Sequence, residues 1–77
     1  MVDHLTRVTV DLRSPRAEAI AATLASAGFE VRRERGRLVA DSTRVEGQAA
    51  KAYLRERGFE DREVQVFVEY VRRWGIL

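Results

Sequence analysis

Hydrophobic and polar positions alternate along residues 4–12. A period of two residues is typical of a strand that buries one face against a core and leaves the other face open. The pattern therefore predicts a first strand in which every second side chain points inward. The predicted inward set is Thr6, Val8, Val10 and Leu12, and the predicted outward set is Leu5, Arg7, Thr9 and Asp11.

Two later segments have the three-to-four-residue spacing of helices. In the first, Ser14 offers a hydroxyl N-cap and Pro15 suits the first helical position. In the second, Thr43 and Glu46 have the spacing of a capping box, in which each side chain accepts a hydrogen bond from the other residue's backbone N–H. Each segment ends at a glycine, the residue that most often follows the last helical turn. We predict one helix in each segment.

Between the helices, two short alternating runs over residues 29–34 and 37–41 flank Arg35 and Gly36. Glycine readily adopts the positive φ angle that a tight hairpin turn requires. We therefore predict that the two runs are strands joined as a hairpin.

The last alternating run begins at Glu63 and is rich in valine. Enrichment in β-branched residues favours a strand. The same run would also form a helical stripe that includes Phe67 and Trp74, so a helix over residues 63–74 stays open as an alternative.

The predicted order of elements is β-α-β-β-α-β within one domain, residues 1–77. This order predicts an α+β ferredoxin-like sandwich with right-handed crossovers. Its antiparallel four-stranded sheet would have the spatial order 4-1-3-2, with both helices on one face. Because many unrelated functions share this architecture, the function has to be argued from individual sites.

Families of this fold with a defined activity need residues that this chain lacks. An acylphosphatase needs a catalytic asparagine, and a metal chaperone needs a cysteine pair, but the sequence contains neither residue type. An RNA-recognition motif stacks bases on aromatic side chains of its two central strands. The corresponding runs here, residues 8–12 and 37–41, contain no aromatic residue. The sequence therefore predicts a fold but does not indicate a protein family.

Arginine dominates the basic residues of the chain. Lys51 is the only lysine among 14 basic residues, and 12 acidic residues reduce the formal net charge to +2. Arginine forms bidentate pairs with carboxylates and phosphates, so this composition suits binding to macromolecules. It is also typical of a GC-rich genome, which suggests a bacterial or phage origin. Mixed signs of charge favour an ordinary solvated surface over a nucleic-acid footprint.

The first candidate site is the sheet face that the helices leave uncovered. Apolar residues within a polar surround are typical of a protein interface. We expect this face to mediate homodimerisation and the binding of a protein partner, with Trp74 in the C-terminal tail as an alternative anchor. The predicted interface residues are Leu5, Arg7, Arg32, Val39, Phe67 and Val71.

The second candidate site is a cluster of arginines at one end of the sheet. Guanidinium groups there could hold phosphates, which makes nonspecific nucleic-acid binding the alternative function. Acidic residues in the same region would also pair with these arginines on an ordinary surface. The predicted phosphate-binding residues are Arg13, Arg16, Arg35 and Arg37.

Several chemistries are not expected. With no cysteine and only one histidine, His4, the sequence does not support thiol chemistry, a histidine metal site or a catalytic triad. We therefore expect no enzyme activity, no cofactor and no metal. No apolar run approaches the roughly 20 residues of a membrane span, and the first ten residues lack the apolar segment of a signal peptide. The protein is expected to be soluble and cytoplasmic.

Overall fold

The computed structural model describes residues 2–72 of the chain and the side chains of residues 4–69. The predictions for Trp74 and for the Val71 side chain therefore lie outside the described parts. The described elements follow one another in the order strand, helix, strand, strand, helix, 3₁₀ turn and strand. They are β1 (Val2–Asp11), α1 (Ala17–Ser26), β2 (Glu30–Glu34), β3 (Arg37–Ser42), α2 (Gly47–Glu56), the 3₁₀ turn (Asp61–Glu63) and β4 (Gln65–Arg72).

The predicted α+β architecture is confirmed. The strands form one antiparallel sheet in the order β2-β3-β1-β4, which is the predicted order 4-1-3-2 read from the opposite edge. The last alternating run is a strand from Gln65 to Arg72, so the helical alternative does not apply to those residues.

The core lies between the two helices and one face of the sheet. As the alternation predicts, the inward residues Thr6, Val8 and Val10 are buried, while Leu12 is partly buried against the core. Burying these apolar side chains is the main force that holds the layers together. The remaining core positions come from both helices, from β3 and from the segments that follow each helix: Ala17, Ile20, Leu24, Phe29, Leu38, Ala40, Ala50, Leu54, Phe59 and Val64.

The predicted capping box of α2 is wrong. The helix begins at Gly47 with Glu46 as its N-cap, and no side chain caps it. The Ser42 hydroxyl instead accepts hydrogen bonds from the backbone N–H groups of Arg44 and Val45, at 3.1 and 3.2 Å. This serine turn holds the backbone outside helical geometry, so the helix starts later.

Helix α1 also begins later than predicted, at Ala17, with Arg16 as its N-cap. The Asp11 carbonyl accepts a hydrogen bond from the Ser14 N–H, at 2.9 Å, and an Asp11 carboxylate oxygen accepts one from the Arg13 N–H, also at 2.9 Å. These two bonds form a tight turn directly after β1. The turn delays the first helical residue beyond the predicted Pro15.

The predicted hairpin is confirmed, and its turn has an unusual residue. Both central residues, Arg35 and Gly36, have positive φ angles, of 48° and 79°. This is the backbone of a type I′ turn, whose twist matches that of the two flanking strands. Glycine adopts this geometry without strain, whereas for a residue with a Cβ atom it is unfavourable by roughly 1–2 kcal/mol.

The first residue of α2, Gly47, lies in close contact with β4. Gly47 is buried, and a Cβ atom built on it would lie 2.7 Å from the Val68 Cγ2 atom. Atoms at that separation overlap, so the absence of a side chain allows the helix to approach the strand. Glycine at position 47 thereby sets the spacing between α2 and β4.

We expect the Gly47→Ala variant to be less stable than the wild type. The added methyl group must displace Val68 or the helix, and such overpacking typically costs about 1–3 kcal/mol in the free energy of unfolding. Urea denaturation followed by circular dichroism measures this free energy. Gln48→Ala, at the exposed neighbouring position, is the matched control. Equal stability of the two variants would contradict the tight packing.

Candidate functional site: the open sheet face

One face of the sheet points away from the helices, and we call it the open face. Residues directly paired across antiparallel strands share a face, so the strand register defines its members. Arg7, for example, lies between Asp41 of β3 and Phe67 of β4. With described side chains, the open face comprises Leu5, Arg7, Thr9, Asp11, Glu30, Arg32, Glu34, Arg37, Val39, Asp41, Gln65, Phe67 and Glu69.

An ion cluster centred on Asp41 lies in the middle of this face. The Arg7 Nε and Nη2 atoms donate to the two Asp41 carboxylate oxygens, at 2.9 and 3.2 Å, in a bidentate pair. The Arg32 Nη1 atom donates to the same carboxylate, at 2.7 Å. The Arg32 Nε atom donates to Glu34, so four side chains from three strands form one network.

The Asp41 side chain is only 15% exposed, which makes its charge the critical one in the cluster. Burial alone would raise the pKa of the Asp41 carboxyl, but the hydrogen bonds from Arg7 and Arg32 outweigh it and lower the pKa below its ordinary value. The same hydrogen bonds raise the pKa of Arg7 and of Arg32. The carboxylate therefore stays ionised and holds both arginine heads in place.

The predicted interface residues differ in their exposure. Phe67 is 48% exposed, whereas Val39 is 6% exposed and Leu5 is half-buried. The expectation that Val39 is an exposed apolar contact is therefore wrong. Arg32 lies directly opposite Val39 in the register, and an arginine stem beside a small apolar residue shields it from solvent. Phe67 is thus the exposed large hydrophobic residue on the described part of the face.

A shallow groove of about 680 Å³ crosses the open face beside Phe67. Thr9 and Val39, both buried, lie among its lining residues, and Arg35 and Arg37 line it near the hairpin. The groove thus combines an aromatic side chain, an apolar residue and cationic groups. Its other lining residues are Arg7, Glu34, Val68 and Glu69.

The four predicted phosphate-binding arginines differ in whether they already bind a carboxylate. Arg13 donates to both Asp11 carboxylate oxygens, and Arg16 donates to Glu63. By contrast, within residues 4–69 no acidic group lies within salt-bridge distance of Arg35 or Arg37. A phosphate at Arg13 or Arg16 would have to compete with a carboxylate that is already bound.

Arg16 joins the start of α1 to the loop before β4. Its Nε atom donates to Glu63 at 2.8 Å, and its Nη2 atom donates to the Gly58 carbonyl at 3.0 Å. The guanidinium group also lies 4.7 Å from the centre of the Phe59 ring, a cation–π distance. These contacts give Arg16 a structural role in the observed conformation.

Sequence reasoning did not identify the role of Glu63. Its carboxylate accepts a hydrogen bond from the Glu60 backbone N–H, at 2.7 Å, and so closes a capping box around the 3₁₀ turn. The bonds from Arg16 and from this N–H lower the pKa of the Glu63 carboxyl to about 2. The spacing of Glu60 and Glu63 matches that of a capping box. Glu60 occupies the N-cap position, however, and glutamate is not among the usual N-cap residues.

A second cavity, of about 460 Å³, lies on the helix side of the sheet near the start of α2. His4, Gln48 and Lys51 line it together with Gly47 and Val68. His4 is half-buried, and its Nε2 atom has no hydrogen-bond partner among the described residues. Within those residues, no group of three or more potential metal ligands is present.

We expect the Glu63→Gln variant to lose stability at neutral pH. The wild-type carboxyl has a folded pKa of about 2, against an ordinary value of 4.5. A lowered folded pKa stabilises the native state above the ordinary pKa, and this contribution disappears as the pH falls from about 4.5 towards 2. Urea denaturation at pH 7 and at pH 2.5 should therefore show a smaller difference between the two proteins at the acidic pH. A pH-independent difference would contradict the role of the charge.

Comparisons with known proteins do not assign this chain to a family. No protein-family model, no curated protein sequence and no solved structure matches it. In the part of the chain that the structure describes, no helix has the length and apolar content needed to cross a membrane. The function is therefore argued from the geometry of the open face.

Proposed function

We propose that this chain is a small interaction module with the ferredoxin-like fold, which self-associates and binds a protein partner. The βαββαβ order and the strand order of the sheet support this assignment of the fold. The observation that carries the functional proposal is the exposure of Phe67, 48%, on an open face whose other exposed residues, among those with described side chains, are polar. We propose that its site of action is the cytoplasm, in keeping with the absence of cysteine.

The surroundings of Phe67 favour a contact surface. Arg7, directly opposite Phe67 in the register, is held by its bidentate pair with Asp41. A side chain that is already fixed loses little conformational entropy when a partner binds. Burial of a phenylalanine side chain contributes about 1.5–3 kcal/mol, so an aromatic anchor flanked by ordered arginines has the character of a binding hot spot.

The charged groups of the open face support a binding role without catalysis. Asp41 accepts hydrogen bonds from Arg7 and Arg32, and Glu34 accepts one from Arg32. A general acid or base works best with a pKa near the working pH, whereas the pKa of Asp41 is lowered. The cluster is therefore suited to orienting a partner through fixed charges.

We expect the Phe67→Asp variant to lose self-association or partner binding while it remains folded. The substitution removes the exposed aromatic ring and places a charge at the centre of the proposed contact. Light scattering coupled to size exclusion measures the oligomeric state, and circular dichroism measures the fold. The wild type should be dimeric, and the variant should be monomeric at the same concentration.

Ala19→Asp is the matched control for this experiment. Ala19 is exposed on α1, in the helical layer on the other side of the sheet, and the variant introduces the same charge. It should retain the oligomeric state of the wild type. A monomeric wild type that also captures no protein partner would contradict the proposed function, and an unfolded Phe67→Asp variant would contradict the peripheral position of the ring.

We propose nonspecific nucleic-acid binding as the alternative function. The observation that favours it is that Arg35 and Arg37, which form no salt bridge within residues 4–69, line the same groove as Phe67. Phosphates bind arginine, and an exposed aromatic ring can stack on a base of a single strand. The strained φ angle of Arg35 supports a functional reason for this residue at the turn.

If this alternative holds, replacing both Arg35 and Arg37 by alanine should abolish the retention of a short single-stranded oligonucleotide in a gel shift at low salt. The control variant removes two other exposed arginines, Arg44 and Arg57, and therefore has the same net charge. Each phosphate contact contributes to a salt-dependent affinity, so only loss of the contacting pair should weaken binding strongly. Equal retention by the two double variants would contradict binding in the groove.

A further inference from the structure

Two neighbouring apolar residues of β4 are exposed on opposite faces of the sheet. Phe67 is 48% exposed on the open face, and Val68 is 41% exposed on the helix side. They are the large hydrophobic residues that remain exposed in the described part of the chain. A partner that binds flat on the open face would cover Phe67 only. A strand added beside β4 would flank both side chains.

The two edges of the sheet differ in how well they resist such an addition. The edge strand β2 has the sequence Glu-Val-Arg-Arg-Glu, and charged side chains on an edge strand discourage pairing. The other edge strand, β4, is uncharged from Gln65 to Val68. Within residues 2–72, no further strand pairs with its outer side. An edge of β-branched and aromatic residues is a template for another strand.

We propose that a second copy of this chain pairs with β4 through its own β4, antiparallel, about a two-fold axis perpendicular to the sheet and centred on Phe67. This inference rests on the proposed self-association and specifies its geometry. A strand that meets its two-fold mate edge to edge is necessarily antiparallel, and the same surface serves both copies. The result would be a continuous eight-stranded sheet.

Side-chain compatibility selects the register. With the axis at Phe67, the ring lies opposite the partner's Phe67, Val66 lies opposite the partner's Val68, and Gln65 lies opposite the partner's Glu69. This arrangement pairs aromatic with aromatic and aliphatic with aliphatic, and it opposes no like charges.

The neighbouring registers that keep each residue on its own face are less favourable. An axis at Val66 would pair only residues 65–67 within β4, with the Phe67 ring opposite the partner's Gln65. An axis at Val68 would place the Phe67 ring opposite the partner's Glu69. The first register forms fewer strand pairs, and both registers forgo the aromatic pair by placing a polar side chain against the ring.

This dimer would also reshape the proposed contact surface. The open faces of the two copies would become one surface, with the two Phe67 rings side by side at its centre. Arg7 of each copy, directly opposite Phe67 in the register, would flank the rings. A protein partner would therefore meet a symmetric aromatic centre with an ordered arginine on either side.

Disulfide trapping tests this geometry directly, because the natural chain has no cysteine. Gln65 and Glu69 are both exposed, so Gln65→Cys and Glu69→Cys should leave the fold intact. In the proposed register, position 65 of one copy lies about 5 Å from position 69 of the other, within the Cα range of a disulfide. Two copies of the same variant would place their cysteines about 13 Å apart, beyond that range.

We therefore expect a mixture of the two variants to form a covalent dimer on mild oxidation, while each variant alone forms roughly tenfold less. A size-altering tag on one variant identifies the mixed species on a non-reducing gel. A dimer by light scattering without this mixture-specific disulfide, or with equal cross-linking of the single variants, would overturn the edge pairing and leave self-association standing. A monomeric wild type would overturn the edge pairing together with the proposed self-association.

Discussion

The rest of the structure depends on the alternation of side chains along β1. This strand is central in the sheet, with β3 on one side and β4 on the other, so its two faces become the two faces of the whole domain. Val8 and Val10 point into the core, while Arg7 and Thr9 point to the open face. A shift of one residue in register would exchange these sets. Hydrophobic burial therefore fixes the surface chemistry of the open face as well as the core.

Burial of Asp41 is the second constraint, and it follows from the first. Once the register places the carboxylate beside Arg7 and opposite Glu30 of β2, its charge has to be balanced by hydrogen bonds from cations. Arg7 and Arg32 supply them, and in doing so they lose their freedom to move. Composition alone does not distinguish one arginine from another, but the geometry of the sheet determines which of them are bound to a carboxylate. Arg7 and Arg32 are paired with Asp41, whereas Arg35 and Arg37 near the hairpin form no salt bridge within residues 4–69.

Sequence alone predicts the helices and strands whose hydrophobic positions recur periodically. It fails where a side chain forms hydrogen bonds with backbone groups at the end of an element. The alternation over residues 4–12 identifies the buried face, because one apolar face must be removed from water. The start of α2 is misplaced because the Ser42 hydroxyl captures two N–H groups before the helix begins. The Arg7–Asp41 pair joins residues 34 positions apart, so its geometry follows only from the sheet register. The exposed Phe67 was predictable, whereas the burial of Val39 on the same face was not.

The two edges of the sheet differ in their risk of uncontrolled pairing with another strand. A small core gives limited stability to a domain of this length, and an apolar edge strand adds a risk of uncontrolled pairing. Charges on β2 protect one edge, which leaves β4 as the single apolar edge in the described sheet. When β4 pairs with the β4 strand of a two-fold-related copy, the edge is occupied in both copies, and the dimer is closed. Self-association through β4 would therefore limit further growth of the sheet while it buries Phe67 and Val68.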